Sequence, residues 1–195
     1  MSAQSRDVSR RRFIASTGLA ATGVCLVPHR IFGDEENLVV ASRNAGETPN
    51  ITVQALRRNV SALIGSGRNI AVLPGADGKL IIDCGFLGTR SKIANALSSI
   101  SPDPIKHLIN THWHYDHTDG NEWMHSAGAA IPAHENTRKH LSASTRVEDW
   151  NFTFPPLSAG AIPTDVFHAD KTLHLNGATI FHKWRVLYET GLQRC

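Results

Sequence analysis

Four side chains able to bind a metal fall within six residues, at His112, His114, Asp116 and His117, in the order His-x-His-x-Asp-His. Neutral imidazole and carboxylate are ligands that zinc accepts, at about 2.0–2.2 Å. His112 and His114 are two apart at the expected end of a strand. Alternation there puts both rings on one side, within reach of one ion. Asp116 and His117 follow where the chain turns and can address a second ion. Two ions about 3.5–4 Å apart hold a hydroxide between them and polarise a carbonyl or phosphoryl oxygen. The chemistry that this motif suits is metal-assisted hydrolysis.

The motif needs a strand before it and a rigid frame around it. Ile105 to Asn110 reads as a short buried strand that runs directly into the motif. Upstream, Ile51–Leu56 and Val60–Ile64 alternate as half-buried strands do. Asn69–Leu73 and Lys79–Asp83 flank Gly75-Ala76-Asp77-Gly78, which predicts a hairpin. Thr89 to Ile100 carries apolar residues at helical spacing, and Pro102 and Pro104 stop it. Downstream, the pattern predicts a helix beginning at Asn121, a strand at Gly128–Pro132 and a helix at His134–Leu141. Residues 142–162 read as a long loop, and Thr172–Leu175 with Ala178–Phe181 as a hairpin turning at Asn176-Gly177. Asn37 to Asn50 is polar and reads as a linker. Strands interleaved with helices give an α/β layered class with a mostly antiparallel sheet.

Composition narrows the partners. Residues 1–33 hold five arginines against one aspartate, whereas residues 34–195 hold fifteen basic and sixteen acidic side chains. A body with a net charge of −1 is not basic, and nothing in it suggests a nucleic-acid partner. Cys25, Cys84 and Cys195 match no zinc or disulfide framework and read as unpaired. The seven other histidines beyond residue 36 read as packed or solvated.

Ser9-Arg10-Arg11-Arg12-Phe13-Ile14, followed by a weakly apolar run to Pro28, resembles a twin-arginine export signal with Arg10 and Arg11 as its pair. Residues 1–36 are therefore assigned to signal and linker, outside the fold. The resemblance implies a periplasmic or secreted protein; the alternative is an N-terminal membrane anchor. The membrane is then met only through this segment, and the export machinery is a partner.

The stretch Thr-His-x-His-x-Asp-His with Gly120-Asn121 behind it resembles the metallo-β-lactamase superfamily, over about Asn50 to Ile180 and most specifically over Asn110 to Asn121. Ile81-Ile82-Asp83-Cys84-Gly85 also resembles that family's strand ending in Asp. The resemblance implies an αββα sandwich and a zinc-dependent hydrolase that acts on an ester, thioester, lactone or amide. It places His112 and His114 at a first metal, Asp116 and His117 at a second, Asp116 as proton carrier, and Asp83 behind the ligands, holding the loop.

The family also uses a third His in a His-Thr-x-Gly-like loop, a bridging Asp and a distant final His. None stands in matching context here. The expected domain is therefore residues 37–180, holding the N-terminal half of the sandwich and the start of the second, with 181–195 an atypical tail. Up to two zinc ions are implied by the family, and one or none by this ligand set. The alternatives to an enzyme are a non-catalytic remnant and a periplasmic metal-binding protein.

Overall fold

The computed structural model describes residues 37–65 and 67–183. Arg10, Arg11, Cys25, Cys195 and the tail from residue 184 lie outside the described residues. The segment expected as a linker is instead a helix, α1 (Leu38–Glu47). Asn37 caps it, its side-chain oxygen accepting from the Val39 amide at 2.9 Å. The polar composition hid this helix because its polar residues are used in tertiary contacts rather than left in water. Val39 is fully buried, packing with Trp113, Leu141 and Phe154.

Five strands then form one sheet: β1 (Thr52–Ala55), β2 (Ser61–Ile64), β3 (Ile70–Leu73), β4 (Lys79–Ile82) and β5 (Ile105–Ile109), in that spatial order. The first four meander antiparallel. The β3–β4 hairpin turns where the sequence predicts, with Gly78 N donating to Gly75 O at 2.9 Å. β5 pairs parallel to β4. A parallel neighbour needs a crossover, which a 3₁₀ turn (Leu87–Thr89) and α2 (Arg90–Ile100) supply.

Both faces of the central strands are covered, which explains their near-continuous apolar runs. On one face Ile70, Val72, Ile81 and Leu108 meet Ile93 and Leu97 of α2 together with Trp123 and Met124. On the other, Leu73, Leu80 and Ile109 meet Leu173, Leu175 and Ile180 of a two-stranded hairpin. Each fully buried Leu or Ile stabilises the fold by about 1.5–3 kcal/mol, so this core fixes the end of β5 firmly.

After β5 come the single turn α3 (Tyr115–Thr118), then α4 (Asn121–Ser126), β6 (Pro132–His134) and α5 (Glu135–Ser142). The strand expected at 128–132 lies later. Gly128 has φ +106 and closes the turn after α4, and Ala130 makes only an isolated bridge to His107. The expected 142–162 loop is partly a hairpin, β7 (Thr145–Val147) with β8 (Phe152–Phe154). Phe152 and Phe154 both stand on β8, their rings 4.6 Å apart, and pack with Val147 of β7 into the cluster around Trp113. β9 (Asp165–Phe167) joins β6 in parallel, a strand without a sequence signal. β10 (Lys171–Leu175) and β11 (Ala178–His182) form the expected hairpin.

Candidate metal centre

β5 ends at Ile109, so His112 and His114 stand in a bend rather than at a strand end as expected. Strand alternation does not align them; the loop's compact fold does. Thr118 Oγ1 donates to the carbonyls of Trp113 (3.1 Å) and His114 (3.0 Å), and His117 N donates to His114 O at 3.0 Å. This winding brings the His112 ring centroid within 4.6 Å of His114 and 4.0 Å of His117. Asp116 Oδ2 lies 3.5 Å from His117 Nε2. The four motif residues are thus gathered on one loop.

A buried polar frame lies beneath the loop. Asn110 and Asn121 are fully buried and exchange reciprocal side-chain hydrogen bonds of 3.0 Å. Asn121 Nδ2 also donates to Ala161 O at 2.9 Å. The Cys84 thiol donates to His117 O (3.1 Å) and Asn121 Oδ1 (3.2 Å), and burial pushes its pKa up. Gly120 lets the chain approach this frame: a Cβ there would lie 2.8 Å from Cys84 O and from Trp123 Nε1.

Asp83 supports the loop from the end of β4. It sits at φ +61, a left-handed conformation that Asp tolerates better than most residues, and this turns its carboxylate into the motif. Oδ1 accepts from Thr111 N at 2.8 Å, Oδ2 accepts from Thr111 Oγ1 at 2.8 Å, and Oδ2 lies 2.7 Å from His117 Nδ1. With the carboxylate accepting, His117 Nδ1 is the donor of this pair, which leaves Nε2 as the ring nitrogen beside Asp116. Asp83 is therefore more than a turn carboxylate.

Helix α1 braces the outer side. Ser42 Oγ and Tyr115 OH are 2.5 Å apart, and Arg43 holds Asp119 with two bonds of 2.7 and 2.8 Å. Burial raises the Asp119 pKa, and Arg43 opposes that shift. Trp113 is buried in the aromatic cluster. Tyr115 lines a cleft of about 480 Å³ with Phe86, Arg68 and Asp116. Neither Arg43 nor Arg68 carries a sequence signal that separates it from an ordinary solvated arginine.

The donor set fits a divalent metal by type and by protonation. Burial, followed by the neighbouring His117 and His114, pushes His112 down to about 4, and burial also lowers His114. Both rings are thus neutral at pH 7, the form that ligates. As the side chains stand, no group of three or more His, Cys, Asp or Glu among the described residues has closed to metal-holding geometry. Asp116 is instead paired with Arg68, whose Nε lies 2.5 Å from Oδ2.

A family model for the metallo-beta-lactamase superfamily matches residues 64–188, more than half of the chain. The chain belongs to the metallo-beta-lactamase superfamily. Among solved structures of that superfamily, a B3 metallo-beta-lactamase described as the first with an active-site glutamic acid shares 16% identity at TM-score 0.58, over 75% of this chain and 57% of its own. The class B3 di-zinc enzyme LRA-12, from an Alaskan soil metagenome, shares 18% at 0.57, over 70% and 53%. BJP-1, a subclass B3 enzyme of Bradyrhizobium japonicum, shares 20% at 0.53, over 65% and 49%. At these identities the likeness is one of fold, and it bears out the mixed α/β architecture. The chain spans about half the length of these structures. No curated protein matches it.

Proposed function

We propose that this superfamily member is a zinc-dependent hydrolase whose metal is held by the His112–His117 loop. One observation carries the reading: three imidazoles and one carboxylate stand side by side on a single braced loop, with burial favouring the neutral form of His112 and His114. His112 and His114 would hold one ion, and Asp116 and His117 a second. When bound, zinc supplies Lewis-acid polarisation of a carbonyl and a nucleophilic water at neutral pH.

The chain's own residues do the rest. Asp83 fixes the His117 ring so that Nε2 faces the site. Asp116 offers the carboxylate oxygen that the metal leaves free as the acceptor for a proton released during attack. The cleft beside it, walled by Phe86 and Tyr115, receives a small ester, thioester, lactone or amide, β-lactams included. Export by the twin-arginine route to the periplasm, resting on Arg10 and Arg11, belongs to the same reading. Secretion that survived an Arg10→Lys, Arg11→Lys double change would refute that part.

The test is hydrolysis of a panel of these substrate classes by the purified chain, with and without added zinc. Zinc-dependent turnover that disappears in His114→Ala supports the reading. Zinc bound without turnover of any class would mark a metal-binding protein instead.

A further inference from the structure

Arg68 lies in the connection between β2 and β3 and reaches the motif from outside the metal loop. Its Nε donates to Asp116 Oδ2 at 2.5 Å. The two side chains differ in setting: that of Asp116 is 10% exposed and that of Arg68 is 62% exposed. A mostly buried carboxylate is therefore met from the solvent side by a cation of another loop. Arg43, the other arginine near the motif, is engaged by Asp119 and lies over the Tyr115 ring. The oxygen that Arg68 holds is also the one 3.5 Å from His117 Nε2. It lies on the side of Asp116 that faces the imidazoles.

Two positive groups cannot share that oxygen without repulsion. Like charges a few ångströms apart repel, all the more beside a mostly buried carboxylate. We propose that Arg68 competes with metal for Asp116: its guanidinium neutralises the carboxylate in the metal-free chain and leaves Oδ2 when metal takes it. Arg68 thereby sets the zinc affinity of the Asp116–His117 position. This rests on the reading of Asp116 as a ligand. The surroundings permit the exchange. Arg68 follows Gly67 (φ +86), borders the cleft beside Asp116 and is mostly exposed along its side chain. A charge-assisted hydrogen bond is stronger than a neutral one, but exposure screens this one. The expected effect of removing it is about tenfold in metal affinity.

The experiment titrates zinc into purified chain against a chromophoric chelator, for wild type, Arg68→Gln, Asp116→Asn and the double variant, with folding checked by circular dichroism. Arg68→Gln should bind zinc about tenfold more tightly than wild type, and the gain should vanish in the Asp116→Asn background. Arg68→Lys, which keeps the charge but loses the planar fork, should show a smaller gain and serves if the glutamine variant does not fold. Equal or weaker zinc binding by the folded Arg68 variants overturns the competition while leaving the metal reading intact. Zinc bound by neither wild type nor variants overturns both.

Discussion

Asp83→Asn isolates what the Asp83 carboxylate does for the loop. The substitution keeps shape, and Asn tolerates the φ of +61 at this position as Asp does, so backbone strain does not confuse the result. The Thr111 amide needs an acceptor and will hold the new amide oxygen at the Oδ1 position. The amide nitrogen must then take the Oδ2 position, 2.7 Å from His117 Nδ1. A donor there turns Nδ1 into the acceptor and moves the ring proton to Nε2. Two consequences follow. Stability should fall by about 1–2 kcal/mol, the difference between a charge-assisted and a neutral hydrogen bond, or roughly 2–8 °C in melting temperature for a domain of this size. Zinc affinity should fall by about 10–100-fold, because residues that orient a ligating ring have effects of that order. Long-range ¹⁵N–¹H correlation spectra of the metal-free chain read the tautomer directly. A wild-type ring already protonated at Nε2, or an unchanged tautomer and zinc affinity in Asp83→Asn, would refute the reasoning.

Other perturbations probe the frame. Asn121→Ala removes the partner of fully buried Asn110 and of Ala161 O; a loss of about 2–3 kcal/mol in urea unfolding is expected, and a loss below 0.5 kcal/mol would contradict the network. Gly120→Ala should cost about 1–3 kcal/mol by overpacking against Cys84 O and Trp123, seen as a lower urea midpoint with unchanged slope. His140 stacks on Trp113 at 4.8 Å, and burial, then Lys139, lowers its pKa from 6.5. The unfolded chain then takes up this proton first on acidification. Its contribution is complete above about pH 6.5 and is lost as the pH falls through the folded value. In the metal-free chain His140→Gln should therefore flatten the decline of melting temperature below pH 6.5, and an unchanged decline would count against it.

Legibility in the sequence followed the physical origin of each element. The β3–β4 hairpin was visible because Gly75 and Gly78 supply backbone conformations that few other residues adopt. The helix at 90–100 was visible because Ile93 and Leu97 repeat at one turn. Helix α1 was not, since Ser42 and Arg43 look like solvent-facing residues until Tyr115 and Asp119 are placed opposite them. The β7–β8 hairpin was masked by the prolines and serines around it, though Phe152 and Phe154 already alternate toward the aromatic cluster. At the site, the motif residues and Asp83 were legible as types at a spacing. The Asn110–Asn121 pair was legible only as the two ends of the motif, because its contact forms through the fold of the intervening loop. Arg68 was not legible at all: its role depends on a long-range approach to Asp116.

The central claim is that the His112–His117 loop holds a metal, and equilibrium dialysis against zinc tests it most directly. Wild-type chain should retain about one zinc or more, and a His112→Ala, His114→Ala double variant that remains folded should lose most of it. No zinc retained by wild type, or equal retention by the double variant, would contradict a metal centre on this loop.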